Sequence, residues 1–196
     1  MDTFAHRVLH ALVRGESMDR AHAHEALAEI LAGGMDTSLV ASFLTALTMK
    51  GETAEEMTGF VDAMMESATR LRVPADAVDI VGTGGDQLHT VNVSTMAAFV
   101  VAGAGVPVAK HGNRAASSSV GSADVLESLG VKLDLPPAVI SDCLHDASMA
   151  FIFAPSYHHA LGYIAPIRRA LAFRTVFNVL GPLANPAGVR RGVVGV

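Results

Sequence analysis

The sequence predicts an α/β fold in which a small N-terminal helical domain is joined to a larger α/β domain with a central, mostly parallel or mixed sheet. Apolar residues recur at helical spacing over roughly the first seventy residues. After Pro74, short apolar runs alternate with helical segments and glycine-rich loops, as in sheets that bind ligands at the carboxyl ends of their strands. We therefore assign 1–72 to the helical domain and 73–196 to part of the α/β domain. The helical segment 157–185 is expected to pack back toward the N-terminal domain.

Four consecutive helices are predicted in the first part. Gly33-Gly34 ends the second helix, and Thr53 with Glu56 forms the capping-box pattern that begins the fourth. No titratable cluster in these helices suggests chemistry, so we expect a packing or dimerisation role. The four apolar faces consist of Phe4, Val8, Leu9 and Leu12; Ala26, Leu27, Ile30 and Leu31; Leu39, Val40, Phe43, Leu44 and Leu47; and Met57, Phe60, Val61, Met64 and Met65.

Strands and helices alternate in the second part. The predicted order is a strand over 78–81, a helix over 94–102, a strand through Val106, Val108 and Ala109, helices over 123–129 and 138–147, and a strand over 149–154. The final segment, Gly192–Val196, has the composition of another strand but no helix follows it. Because an unpaired apolar strand invites pairing with other chains, we expect the chain to be a fragment or a truncated form.

Composition narrows the functional classes. The formal net charge of −5 argues against a general nucleic-acid binder, because such proteins need surplus Lys and Arg. The single cysteine, Cys143, allows no disulfide within the chain, so a reducing and cytoplasmic compartment is expected. The longest apolar run, Met96–Val108, is interrupted by glycine and proline and is too short to cross a bilayer, so no membrane partner is expected.

A glycine-rich loop, Gly82-Thr83-Gly84-Gly85-Asp86, directly follows the first predicted strand. Glycines at such a place let backbone N–H groups wrap an anion without obstruction by a Cβ atom. Asp86 would repel a phosphate unless a metal or a ribose hydroxyl intervened. The loop therefore indicates a sugar phosphate or a metal diphosphate, and the alternative is a tight strand-to-helix turn without a ligand.

Two more polar segments follow in the same half of the chain. Asn92-Val93-Ser94-Thr95 begins an apolar helix, where these residue types either cap the helix or offer donors to an anion. The Ser94 hydroxyl is also a suitable ligand for Mg²⁺. The segment 110–119 follows the second predicted strand, and its cations, amide, imidazole and serines suit phosphate oxygens, unless it is only a solvated turn. We expect Ser122 to cap the next helix.

These segments carry a resemblance to a known family. The motifs GTGGD, NVST, KHGNRAASS and GSAD, with FNVLGPLANP at 177–186, agree in order and spacing with anthranilate phosphoribosyltransferases. The chain resembles the N-terminal portion of that family's chain over nearly its whole length. The resemblance implies a nucleoside phosphorylase/phosphoribosyltransferase-like fold and a cytoplasmic homodimer that uses Mg²⁺. The implied reaction transfers the 5-phosphoribosyl group from phosphoribosyl pyrophosphate to anthranilate in tryptophan biosynthesis.

The resemblance also implies which residues bind each ligand. Ser94 would contact Mg²⁺, and no residue is implied as an acid or base because the aromatic amine reacts as the neutral species. Anthranilate would be bound by Gly82, His111, Asn113, His158 and Arg168. Phosphoribosyl pyrophosphate would be bound by Gly82, Gly85, Asp86, Thr90, Asn92, Val93, Ser94, Thr95, Lys110, His111, Gly112, Asn113, Arg114, Ala115, Ala116, Ser117, Ser118 and Ser122.

The sequence departs from the family pattern in two respects. Ser119-Val120 stands where the family commonly has a cation and a small polar residue. The family's acidic pair for Mg²⁺ falls beyond position 196, so this chain would hold at most half of the metal site. Two other interpretations stay open: a related nucleoside phosphorylase, which the KHGNR and FN-x-LGPL segments disfavour, and a non-catalytic binding protein. His158-His159 lacks a third ligand at suitable spacing, so we do not predict zinc.

Overall fold

The computed structural model describes residues 3–83, 91–115 and 120–195. The chain divides into two compact units. The helical unit comprises Met1–Ala68 and His158–Ala184, and the α/β unit comprises Thr69–Tyr157 and Asn185–Val196. Within the described ranges, no helix combines the length and apolar character needed to cross a membrane.

The helical unit begins with the four helices that the periodicity predicts, which confirms the helical N-terminal domain. Thr3, Asp19, Asp36 and Thr53 each accept a backbone N–H of the following helix through the side chain, so every one of these helices has a side-chain cap. The capping box of Thr53 and Glu56 is also present. The helices are α1 (Phe4–Val13), α2 (Arg20–Leu31), α3 (Thr37–Lys50), α4 (Ala54–Ser67), and, later in the chain, α9 (Leu161–Leu171) and α10 (Phe177–Leu183).

Helices α2 and α4 pack closely at Gly59. A Cβ atom at this position would lie 2.3 Å from the Arg20 carbonyl oxygen and 2.9 Å from the Ala23 Cβ. Real Cβ atoms do not approach backbone so closely, so any larger residue would push the helices apart. The core around this contact consists of fully buried aliphatic and aromatic side chains, among them Leu27, Ile30, Leu44, Leu47 and Phe60.

We expect Gly59→Ala to lower the free energy of unfolding by about 1–3 kcal/mol, because the overpacked contact cannot relax without moving a helix. Chemical denaturation followed by circular dichroism measures this change. Gly162→Ala is the matched control, because Gly162 is also helical and a Cβ there meets nothing within 4 Å. That variant should gain stability by about 0.5–1 kcal/mol. Equal stability of the two variants would show that the close contact at Gly59 has no energetic consequence.

The α/β unit contains a four-stranded parallel sheet with the order β3-β2-β1-β4, which confirms the predicted α/β class. Because all four strands are parallel, their carboxyl ends lie at one edge. The chain adds β2 and β3 on one side of β1 and then returns to add β4 on the other side, which makes the β1 end a topological switch point. The elements are β1 (Val78–Gly82), α5 (Val93–Gly103), β2 (Val108–Gly112), α6 (Ser122–Ser128), α7 (Pro137–Ala147), β3 (Met149–Phe153), α8 (Ala154–Tyr157) and β4 (Arg191–Gly195).

The second strand differs from its predicted position. It begins at Val108 rather than Val106, because Pro107 precedes it without an N–H to donate, and it continues through Gly112. Lys110 and His111, which the polar pattern assigned to a loop, therefore lie inside β2. Both side chains are buried.

Candidate functional site

Parts of three predicted ligand segments lie at the carboxyl edge of the sheet. β1 ends at Gly82. The N–H of the next residue, Thr83, donates to the Gly195 carbonyl at the end of β4, at a distance of 3.0 Å. β2 ends at Gly112, and α5 begins at Val93. The Lys110 ammonium contacts the Ser94 hydroxyl at 3.1 Å, so the structure brings the second and third segments into direct contact.

Side chains join β1 to β2 where their ladder ends. In the described part of the chain, the two strands have one pair in register, Val78 with Val108. Beyond it, the Lys110 ammonium donates to the Ile80 carbonyl of β1, and the His111 N–H of β2 donates to Asp79 Oδ1 at 3.1 Å. Side chains thus satisfy backbone groups that a continued ladder would use.

Asn185 completes this buried network. Its Nδ2 donates to Asp79 Oδ2 and to the Ala109 carbonyl, each at 2.9 Å, and its Oδ1 accepts the Ala187 N–H at 2.9 Å. Burial raises the pKa of Asp79, although hydrogen bonds from Asn185 and the His111 N–H act in the opposite direction. Asp79 and Asn185 were not predicted as site residues from the sequence. An acidic residue within an apolar strand was the one signal available for Asp79.

Lys110 is the buried cation of this edge, with a side chain only 1% exposed. Burial lowers the pKa of Lys110 to about 8, so the ammonium is still mostly protonated at neutral pH. An ammonium has three N–H donors, and Ile80 and Ser94 accept two of them. The remaining donor is what a phosphate oxygen at this edge would require.

The first turn of α5 differs in detail from a side-chain-capped helix. Asn92 occupies the N-cap position, but its side chain makes no capping hydrogen bond; Asn92 Nδ2 instead lies 3.5 Å from the Val120 carbonyl. Thr95, in the same turn, is buried, and its hydroxyl has no hydrogen-bond partner among the described residues. Such a helix start is a suitable place for an anion, because backbone N–H groups and the helix dipole both favour negative charge.

The segment after β2 is held by acidic residues of α6. The Arg114 guanidinium pairs with Glu127 through two contacts of 2.7 and 3.0 Å, reaches Asp124 at 3.3 Å and lies over the Phe153 ring at 5.6 Å. The hydrogen bond with Glu127 is the main reason that the pKa of Arg114 is raised. In this structure the Arg114 side chain is therefore held by carboxylates of α6.

The start of α6 contradicts one prediction. Gly121, not Ser122, occupies the N-cap position, and Ser122 is the first helical residue. The Gly121 N–H donates to the Asp124 carboxylate at 2.8 Å. Ser122 was expected to cap because serine is a preferred N-cap, but the helix already begins at Ser122, and the Ala123 N–H of the first turn donates to the Asn113 carbonyl at 3.3 Å.

The helical unit contains the two remaining predicted ligands. His158 is buried and donates through Nε2 to the Ala184 carbonyl at 2.8 Å, and burial lowers its pKa. Arg168 is half-buried, lies over the Phe177 ring at 5.5 Å and contacts Asn178 Oδ1 at 3.5 Å. Burial also lowers the pKa of Arg168, and within the described ranges no carboxylate pairs with it.

Several predicted ligand residues lie outside the described residues: Gly84, Gly85, Asp86, Thr90, Ala116, Ser117 and Ser118. Among the residues that the structure does describe, no three His, Cys, Asp or Glu side chains come together to hold a metal. Ser94, the predicted metal ligand, is among the described residues. Its hydroxyl accepts from Lys110 and retains a second lone pair for a metal.

Comparison with known proteins identifies the class. A family model described as the a/b domain of a glycosyl transferase family matches residues 74–196, and one described as the helical bundle domain of a glycosyl transferase family matches residues 6–68. The chain therefore belongs to this glycosyl transferase family.

Within that class, the chain is similar to anthranilate phosphoribosyltransferases, which confirms the resemblance read from the motifs. It is 54% identical to the enzyme of Deinococcus radiodurans over 191 residues, which cover 96% of this chain and 56% of the relative. The enzyme of Rubrobacter xylanophilus is 52% identical over 182 residues, covering 93% of this chain and 53% of the relative. The chain thus spans about half the length of the curated relatives that it matches.

Two solved structures show the same similarity. The crystal structure of anthranilate phosphoribosyltransferase from Thermus thermophilus matches with a TM-score of 0.91 and 45% identity, covering 96% of this chain and 58% of that chain. The enzyme from Saccharomyces cerevisiae, in complex with PRPP and Mg, matches with a TM-score of 0.90 and 32% identity, covering 100% of this chain and 59% of that chain.

Proposed function

We propose that the chain provides part of an anthranilate phosphoribosyltransferase of tryptophan biosynthesis. The reaction forms a bond between the anthranilate nitrogen and the anomeric carbon of phosphoribosyl pyrophosphate, breaks the bond from that carbon to the diphosphate oxygen, and releases a proton and pyrophosphate. The observation that carries the proposal is the Lys110 ammonium, held beside the start of α5 by Ile80 and Ser94, which among the described residues accept two of its three N–H donors. The similarity to relatives that carry out this transfer supports it.

The proposed task of this edge is to stabilise the leaving diphosphate. Negative charge accumulates on the diphosphate as the bond breaks, so fixed donors there act most strongly in the transition state. Lys110 contributes a buried cation, and the first turn of α5 contributes backbone N–H groups. The predicted donors of 82–86 and 113–118 belong to the same proposal.

A cytoplasmic location and a homodimer also stay proposals that follow from the resemblance.

Mg²⁺ is the proposed cofactor, and it would neutralise charge on the diphosphate. Ser94 fits this role as a single oxygen ligand, because its hydroxyl keeps one lone pair after accepting from Lys110. Magnesium sites commonly take further oxygens from water and from substrate phosphates, so one protein oxygen is compatible with binding.

Arg168 is the proposed partner of the anthranilate carboxylate. A half-buried guanidinium is costly to desolvate, and no carboxylate in the described part of the chain pairs with this one, so an anionic substrate would compensate for that cost. Arg168 also suits a carboxylate geometrically, because its fork can donate two parallel hydrogen bonds.

Replacing Arg168 by Ala is expected to raise the KM for anthranilate by roughly 10- to 150-fold, since a charge-assisted hydrogen bond contributes about 1.5–3 kcal/mol. The KM for phosphoribosyl pyrophosphate should change little. Steady-state kinetics with each substrate varied in turn measures both constants. Arg169→Ala is the matched control, because Arg169 is the exposed neighbour on the same helix. An unchanged anthranilate KM in the Arg168 variant would exclude this contact.

The proposed reaction is tested by product formation from phosphoribosyl pyrophosphate, anthranilate and Mg²⁺. Two proteins are compared: the 196-residue chain, and the same chain extended by the C-terminal portion of the Deinococcus radiodurans relative. We expect activity in the extended chain and little in the shorter one. Consumption of a pyrimidine nucleoside and phosphate would indicate a nucleoside phosphorylase instead. Absence of both reactions from the extended chain would indicate a binding protein.

A further inference from the structure

One carboxylate, that of Asp124, connects the two ends of the segment that follows β2. Asp124 Oδ2 accepts the Ala115 N–H at 3.0 Å and the Gly121 N–H at 2.8 Å. Ala115 and Gly121 are therefore held against the same oxygen, although five residues separate them in the sequence. Asp124 itself is fixed near the start of α6, because it is the third residue of that helix.

The backbone at these two residues is also in direct contact. A Cβ atom on Gly121 would lie 2.3 Å from the Ala115 nitrogen and 2.6 Å from the Arg114 carbonyl carbon. Only a glycine permits this approach, so Gly121 and the Asp124 carboxylate together hold Ala115 in place.

Two further contacts fix the same segment to α6. The Ala123 N–H donates to the Asn113 carbonyl at 3.3 Å, and Arg114 pairs with Glu127 on the next turn of the helix. The hydrogen bonds from the Ala115 and Gly121 N–H groups lower the pKa of Asp124, which keeps the carboxylate ionised as an acceptor. Residues 113–115 thus have their position set by α6 rather than by the end of β2 alone.

We infer that Asp124 is a positioning residue for phosphoribosyl pyrophosphate, acting by holding Ala115 against Gly121 and thereby fixing the backbone of residues 113–115. The inference rests on the proposed function, because it assigns residues 113–115 to this ligand. Asp124 itself does not contact the ligand. The Arg114 guanidinium also links residue 114 to α6 through Glu127.

Kinetics of the extended chain test the inference. Asp124→Ala should raise the KM for phosphoribosyl pyrophosphate by about tenfold, and Asp124→Asn, which keeps one acceptor oxygen, should stay within about threefold of the parent. Glu127→Gln weakens only the exposed ion pair with Arg114 and leaves the backbone contacts of Asp124 in place, so its KM should also change by about threefold or less. Equal KM values for the parent and Asp124→Ala would overturn the inference.

Amide hydrogen exchange of the 196-residue chain gives a second readout that needs no ligand. In Asp124→Ala the Ala115 and Gly121 amides should exchange faster, while amides in β2 and β3 keep their protection. Unchanged exchange at both amides would overturn the inference. If the extended parent chain shows no transfer, the proposed function fails. The exchange result still decides whether Asp124 holds Ala115 against Gly121.

Discussion

Replacing Glu56 by Ala is expected to lower the free energy of unfolding by about 3–5 kcal/mol, a large share of the stability of a small domain. The Glu56 side chain is fully buried and pairs with Lys50 at 2.8 Å. It also accepts the Met18 N–H at 2.9 Å and the Thr53 N–H at 2.8 Å. Its removal takes the carboxylate from the buried Lys50 ammonium, which keeps only the neutral acceptors Gly51 O and Ser17 Oγ among the described residues. It also leaves two backbone donors without this acceptor, and together these losses cost more than the pair itself contributes.

Urea denaturation of the variant and the parent chain measures this effect. Glu55→Ala is the matched control, because Glu55 lies in the same first turn of α4 and is exposed. Its loss removes only a favourable interaction with the helix dipole, so a change of about 0.3–1 kcal/mol is expected. Similar losses in the two variants would mean that the buried contacts of Glu56 contribute nothing beyond the helix dipole.

Glu56 should also make the stability of the chain depend on pH. Burial alone would raise its pKa, but hydrogen bonds from Lys50, Met18 and Thr53 together outweigh burial and lower it. A carboxyl group with a lowered pKa in the folded state contributes stability above its unfolded pKa, about 4.3, and loses it as the pH falls through the folded value. Denaturation at several acidic pH values should therefore give a shallower pH dependence for Glu56→Gln than for the parent.

Local patterns were sufficient to predict most of the fold. The apolar face of each early helix and the capping box of Thr53 and Glu56 depend on residues within one or two turns, so the sequence displays them directly. The strands were recognised because β-branched runs are bounded by glycine and proline. Their alternation with helices predicted a mostly parallel or mixed sheet, and the structure shows a parallel one.

The buried polar contacts could not be predicted in the same way. Lys110 was assigned to a loop because charged residues rarely lie in a buried strand, and its partner Ile80 is 30 residues away in sequence. Asn185 is 106 residues from Asp79, so nothing local indicates that the two are hydrogen-bonded. The pairing of Arg114 with Glu127 was not predicted, because it depends on the placement of α6. Sequence patterns thus identified the segments of the site, but long-range packing determines what each polar side chain does.

Lys110→Met is expected to lower kcat/KM for phosphoribosyl pyrophosphate by about 10²–10³-fold in the extended chain, because one fixed donor to the departing diphosphate is lost. Met has a similar length and suits the buried position, where the Lys110 side chain is only 1% exposed. Removing the buried charge relieves a desolvation cost, while the Ile80 carbonyl loses its side-chain donor, and these two effects act on stability in opposite directions.

Stability and activity should therefore separate in this variant. We expect its urea midpoint to lie close to that of the parent while the transfer rate collapses, because the ammonium acts on the diphosphate rather than on the fold. Lys132→Met is the matched control, since Lys132 is an exposed lysine of the same unit and should leave both quantities unchanged. A Lys110 variant within threefold of the parent kcat/KM would show that the buried ammonium serves the β1–β2 junction alone. The donors for the diphosphate would then have to come from backbone groups at the start of α5.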